Sequence, residues 1–355
     1  MSNLSTIIHY FVLCAVICPV LMLSTYSAAL PPPVPTSQTV SAITNVRWQD
    51  GFCPVCSKKV SLAIVTPIGV VGGVDHDLFA RAIGPQPEFY LINTCPYCHF
   101  SGYLADFELI LPEDLKKDLK NRLVPSEDIS PEASPREIDV LVKYDLAWQT
   151  SKRLGRSDES LAWLALRASW VARDQYCNIP RNDDLAKVLR KAGLEASPPN
   201  AKENPADREI AQAKHLEEDI IAGEIEQKDE WACHAIVGLL FRRHGLNDRA
   251  IRHINLVIGS DQAPKSVREA FLRMRKSIDD EVLWQGRSVE CFEKALEAKK
   301  IDPKNVATAK YLVGQLYLRL GNQDKAKMWF REALRENDLP QRLREWIEAD
   351  GGLVK

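Results

Sequence analysis

Cys53-Pro54-Val55-Cys56 and Cys95-Pro96-Tyr97-Cys98 are two Cys-Pro-x-Cys runs with 38 residues between them, and reading them decides the first part of the fold. Four thiols offered two by two suit one tetrahedral zinc, with sulfur at about 2.3 Å from the ion. A tight turn lets both cysteines of a run face one point. Proline after the first cysteine fixes that turn and removes a competing amide. The metal then closes a small domain too poor in apolar residues to fold unaided. The gap is longer than the roughly 15–20 residues of a compact ribbon, and strands fit within it without separating the two loops. The runs therefore predict a zinc-ribbon-like, β-rich head, with Cys53, Cys56, Cys95 and Cys98 as ligands of one structural Zn2+ per chain.

Working outward, residues 60–71 are β-branched and apolar, residues 89–93 form a second such run, and Gly72-Gly73 and Gly84-Pro85 break between them. Residues 103–110 begin a helix that Pro112 interrupts. The head is thus expected over 46–122. Pro125, Pro131 and Pro135, set among Ser, Glu and Asp, mark a linker over 123–136.

Toward the N-terminus, the first charged side chain is Arg47. Residues 10–23 are an uncharged apolar run, and Ser27-Ala28-Ala29 offers small residues to a signal peptidase. This predicts a secretory signal over 1–29, cleaved after Ala29, although the first nine residues lack the usual Lys or Arg. The run is shorter than the about 20 residues of a spanning helix. Export, periplasmic or secreted, is the expectation, and anchoring by an uncleaved segment is the alternative. Residues 30–45, with Pro31-Pro32-Pro33 and Pro35, read as an extended Pro-rich spacer. Of nine cysteines, Cys14 and Cys18 leave with the signal and seven remain. An odd number does not suit a disulfide framework. Cys177, Cys233 and Cys291 lie in helical patterns and read as buried filler.

From residue 138 the apolar spacing takes the helical period and keeps it, so 137–350 is expected to be all helix. Leu161, Leu164, Ala165 and Ala168 share one face, flanked by Trp163 and Trp170. Gly155, Gly193, Gly245 and Gly321 stand where one helix ends before another begins. Gly238, Phe241, Gly245, Ala250 and Ile254 hold relative positions 8, 11, 15, 20 and 24 of a repeat, and Gly314, Tyr317, Gly321, Ala326 and Phe330 hold the same places, with Ala333 at 27. This is the tetratricopeptide arrangement, small residues where paired helices touch and large ones where they fill. His234 and Lys310 stand where Trp is usual at position 4. Ile301-Asp302-Pro303 reads as the end of a degenerate copy containing Phe292 and Ala295. The fold class is α+β, a zinc-ribbon-like head followed by a tetratricopeptide-like solenoid.

The 355 residues exceed what one core usually serves. A net charge of -2 gives no footprint for nucleic acid. No catalytic signature and no small-molecule substrate emerge, so the expected function is non-enzymatic, the binding of a protein or peptide partner on the concave face of the helices. Arg242, Arg243, Tyr311, Gln315 and Arg319 would line that groove. The alternative is an exported thiol–disulfide oxidoreductase using Cys95 and Cys98, with residues 89–93 as the strand before the pair and 103–110 as the helix after it. A third reading is a metal-dependent hydrolase with His76 or His99 near the ion. The plainer role of Asp75 and Asp77 is to bond amides of the Gly72-Gly73 turn.

Taken together, Cys53-Pro54-Val55-Cys56, Asp75-His76-Asp77, Phe89-Tyr90, Cys95-Pro96-Tyr97-Cys98, Gly102-Tyr103 and Asp106-Phe107 follow a known order. Residues 164–173, with Trp170 inside, and 237–243 extend the likeness, which spans roughly Cys53 to Val257. The chain resembles a bacterial family catalogued as domain of unknown function 2225. His99 departs from the glycine usual after the last cysteine. The resemblance implies a zinc-ribbon-like head, a repeat tail and no established activity.

Overall fold

Both cysteine runs are the turns of β-hairpins. The computed structural model describes residues 45–66, 73–82, 85–177 and 205–349. Within them β1 (Asn45–Phe52) pairs antiparallel with β2 (Lys59–Thr66), Asn45 opposite Thr66 and Phe52 opposite Lys59. The short strands β3 (Asn93–Thr94) and β4 (Ser101–Gly102) pair in the same sense. The Asn93 carboxamide stitches the second hairpin to the first. It accepts from the Ala63 N–H at 2.6 Å and donates to the Ala63 carbonyl at 3.3 Å. The expected leader (1–29), nearly all of the spacer (30–45), the end of the 60–71 run and Gly193 lie outside the described residues.

Two expected elements differ. The 89–93 run is not a strand, because a 3-10 turn at Pro87–Phe89 precedes β3. The 103–110 stretch holds only a 3-10 helix, Leu104–Glu108. Pro87 takes the first position of the 3-10 turn, where its fixed φ suits the turn and its missing amide costs nothing, and Pro112 stands at the N-cap of the helix that follows. Helix α1 (Glu113–Arg122) starts directly after Pro112.

Nine further α-helices follow among the described residues. They are α2 (Val140–Arg153), α3 (Asp158–Asp174), α4 (Pro205–Ile221), α5 (Glu230–Arg243), α6 (Asn247–Gly259), α7 (Lys265–Glu297), α8 (Val306–Arg319), α9 (Gln323–Leu334) and α10 (Gln341–Ala349). The chain is mostly helical, with a small β head. Asp139 caps α2 by accepting from the Leu141 and Val142 amides, and Ser157 caps α3 through the Ser160 amide. Gly155, Gly245 and Gly321 take φ of +65°, +70° and +78° just past α2, α5 and α8, the left-handed turn that lets a second helix fold back.

In α5–α6 and α8–α9 the repeated small residues lie where the helices touch. A Cβ on Gly238 would meet His253 and Ile254 at 3.2–3.4 Å, and one on Gly314 would press into the Phe330 ring at 2.6 Å. Residues expected in a degenerate copy, Phe292 and Ala295, instead end the continuous 33-residue helix α7, which lies along α3. That pairing explains why α3 is buried on all sides from Leu161 to Arg173, rather than on the one face expected.

The head does not stand apart. Cys53, Cys95, Cys98 and Phe100 share one apolar cluster with Leu119 of α1, with Leu123 and Ile138, and with Val142 and Leu146 of α2. Val74, Phe79 and Ile92 join the main helical core. The described residues fall within one compact unit. The 123–136 stretch carries no α-helix, yet its first residue, Leu123, is packed in the core beneath the cysteines.

Candidate functional site

Each Cys-Pro-x-Cys run forms the same knuckle. The Cys53 N–H donates to the Lys58 carbonyl and the Ser57 N–H returns to the Cys53 carbonyl, each at 2.9 Å. In the second run the Cys95 N–H donates to the Phe100 carbonyl and the His99 N–H to the Cys95 carbonyl, again at 2.9 Å. Ser57 and His99 both take left-handed φ, 59° and 63°. Register in the two hairpins turns the knuckles toward each other. Cys53 Sγ lies 3.5 Å from Cys98 Sγ and Cys56 Sγ lies 3.6 Å from Cys95 Sγ. All four sulfurs fall within 4.8 Å of one another, and all four thiols are free. A tetrahedron with about 2.3 Å metal–sulfur bonds has edges of about 3.8 Å, so the set can hold a metal ion with little movement.

Electrostatics favour a cation there. Hydrogen bonds from Cys95 and then Cys98 draw the Cys53 thiol down to about 4. The same contacts with Cys53 push Cys95 up and Cys98 far up, and burial adds to both. One thiolate is therefore stabilised by its neighbours at the expense of the others. Ionising all four in this apolar surrounding requires a positive ion at their centre. Among the described residues no other set of three or more Cys, His, Asp or Glu side chains is placed to hold a metal. His76 and His99 do not join this one.

A second constellation went unrecognised in the sequence. Asp75 and Asp77 stand on the short turn between Val74 and Ala80, and both are buried. Asp77 does accept from a local amide, that of Phe79, at 3.4 Å, but its principal partner is a distant arginine. Arg173, at the end of α3, binds Asp77 with Nη2, Asp75 with Nη1 at 3.0 Å, and Glu281 of α7 with Nε at 2.8 Å. Arg81 grips Asp75 at 2.8 Å and Asp174 at 3.1 Å. Arg242 bonds the other oxygen of Glu281, while His244 places Nδ1 2.8 Å from Asp75 and Nε2 2.9 Å from Glu209 of α4. Arg319 of α8 closes the set on Asp77 at 3.5 Å. Burial works to raise the three inner carboxyls and the facing cations outweigh it. Arg81, His244 and Arg173 hold Asp75 well below the usual carboxylate range, Arg173 and Arg319 lower Asp77, and Arg242, Arg173 and Arg319 lower Glu281. One available signal was Arg173 itself, a charge at the end of an apolar run with no local partner.

The residues expected to line a partner groove divide. Arg242 and Tyr311 are fully buried, Arg242 by Glu281 and the Ala172 carbonyl, Tyr311 with its hydroxyl donating to the His76 carbonyl at 2.6 Å. Neither presents its side chain to a partner. Arg242 lies on α5 and is enclosed by α3 and α7, whereas Tyr311 lies on α8 and is enclosed by the His76 turn and Trp346 of α10. Arg243 stays partly exposed and pairs with Glu209 at 3.1 Å. Gln315 and Arg319 line a cleft of about 390 Å³ where the α5–α6 and α8–α9 turns meet the head. Asp75, His76, Leu246 and Arg249 lie along the same cleft. The Arg319 guanidinium lies so close over Gly245 that any Cβ there would collide with it.

The sequence profile of a family described as "Uncharacterized protein conserved in bacteria (DUF2225)" matches residues 49–282 and 267–348, well over half of the chain. Comparison with curated proteins and with solved structures yields no match.

Proposed function

The chain belongs to this uncharacterized bacterial family, DUF2225, and within it we propose an exported, non-enzymatic protein-binding scaffold. Its head carries one structural zinc, and its helical tail, a tetratricopeptide-like solenoid, docks a protein or peptide partner. The observation that carries the structural role of the metal is the closed donor set: four sulfurs fill four tetrahedral places and leave none for water or substrate. The partner reading draws on the cleft beside Gln315 and Arg319, where polar groups from the head and two helical hairpins converge. Export is the reading of the first 29 residues; among the described residues no helix is long and apolar enough to cross a membrane. Thiol–disulfide exchange at Cys95 and Cys98 has less support. Cys95 is fully buried with its thiol pushed up, and strand β4 rather than a helix follows Cys98, whereas an attacking cysteine needs access and a low pKa.

Metal analysis of chain purified from its native compartment tests the head. We expect one zinc per chain, and thiols that react only after a chelator is added. Full-strength metal binding by Cys95→Ser would contradict the four-sulfur site. For the tail, Leu246→Glu and Gln323→Glu together alter the exposed rim of the cleft without touching its buried charges. Partner capture that survives this double change undiminished would remove the cleft from the binding surface.

A further inference from the structure

Two histidines face each other inside the α5–α6 hairpin. His234 Nδ1 and His253 Nδ1 are 2.9 Å apart, and both residues are buried. At that distance one nitrogen must donate and the other accept. The outer nitrogens show which. His253 Nε2 lies 3.1 Å from a Glu217 carboxylate oxygen, so this ring carries its proton there and accepts at Nδ1. His234 donates its Nδ1–H, and its Nε2, left bare, lies 3.7 Å from Glu230, beyond hydrogen-bond length. The hairpin has no slack at this point. Gly238 lets α6 approach so closely that a Cβ there would press on the His253 Cβ at 3.2 Å.

We propose that His234 and His253 form an acid-sensitive clasp between α5 and α6. Neutral, the pair shares one proton and holds the helices together. A first added proton goes to His234 Nε2, where Glu230 compensates it, and the shared hydrogen bond survives. A second must go to His253 Nδ1. It sets two N–H groups and two positive charges against each other, and the helices part. The charged groups facing the pair are Glu217 from α4, Glu230 from α5, and Arg249 and Arg252 from α6. Both arginines also reach Glu217, at 3.4 and 3.7 Å. They leave that carboxylate less able to offset the second charge. The turn joining the two helices carries His244 and Leu246, so opening the clasp also moves one wall of the cleft.

The direction of titration agrees. Burial, then the facing His253, holds the His234 ring below its usual range, and burial does the same for His253 against the pull of Glu217. Such groups contribute stability above their unfolded pKa and lose it as pH falls through that value toward the folded one. Glu88 works the other way. Burial pushes its carboxyl up to about 7, so it favours the folded chain as pH falls. A global melting curve would mix the two signs, and a local readout is needed.

Hydrogen exchange of α5 and α6 in the full-length chain, corrected for intrinsic rates, supplies it. Between pH 7.5 and pH 5.0 we expect opening of these helices to rise on the order of ten-fold, and His234→Gln, which cannot take a charge, to abolish the rise. Equal protection of the wild type at both pH values would overturn the clasp, as would an undiminished acid response in His234→Gln. Ring-nitrogen NMR on the wild type gives a check that needs no variant. A proton on His234 Nδ1, a bare His253 Nδ1 and coupled titration are expected; two rings titrating independently at the free-imidazole value would sink the proposal.

Discussion

His99 stands at φ +63° in the second knuckle, and Ser57 at 59° in the same place of the first. A side chain in the left-handed region costs about 1–2 kcal/mol. Glycine avoids that cost but gives back part of it, about 0.5–1 kcal/mol, as extra freedom of the unfolded chain. His99→Gly is therefore expected to stabilise the metal-loaded chain by up to about 1 kcal/mol, visible as a higher urea midpoint, while His99→Ala gains nothing. A lower midpoint for His99→Gly would mean that the imidazole makes a contact outweighing the backbone strain. That a side chain stands directly after the last cysteine of the run was legible in the sequence. Its physical meaning was not, because the turn geometry comes from the hydrogen bonds that close the knuckle.

Two glycines inside helices show how the same residue serves opposite ends. Gly314 of α8 touches the Phe330 ring of α9, whereas around Gly286 of α7 nothing lies within 4 Å of an added Cβ. Alanine favours an exposed helix interior over glycine by about 1 kcal/mol, and overpacking a filled crossing costs about 1–3 kcal/mol. Gly286→Ala should raise the urea midpoint and Gly314→Ala should lower it. Equal shifts for both would deny the close crossing of α8 and α9. The hairpins were readable because helical period, turn glycine and small–large pairing all act within about 35 residues. The surroundings of α3 were not. Its apolar spacing marks one face, but the second coat comes from α7, more than ninety positions further along the chain.

Over the whole molecule, buried charges join the head to the helices alongside the shared apolar clusters. Removing one partner of a buried ion pair costs about 3–5 kcal/mol, because the other charge is left uncompensated. Asp77→Asn, which strips an anion from Arg173 and Arg319, should lower stability by about that amount and loosen the head and the ends of α3 and α8 in one transition. Two well-separated unfolding steps in the wild type would contradict such a weld. The network also sets the acid limit. Asp75, Asp77 and Glu281 are held below the usual carboxylate range when folded, so the unfolded chain takes up protons first as pH drops. Their stabilisation is complete above about 4 and disappears as pH falls through the folded values. In Asp77→Asn this acid limb should be shallower than in the wild type, as a titration of unfolding free energy against pH would show.

By itself, the sequence determined what depends on neighbours along the chain: two metal-ready knuckles, helices of the right period, and glycine turns that fold them into hairpins. Only the tertiary structure decided which groups meet across long separations. Arg173 and Glu281 are 108 positions apart, and Asp75 and His244 are 169 apart. Arg242 has the spacing of a groove residue, and only the arrival of Glu281 opposite it makes it part of the core. A charge has no periodicity that announces its partner. Its role follows from the dielectric around it and the countercharge facing it, and both exist only once the helices have packed.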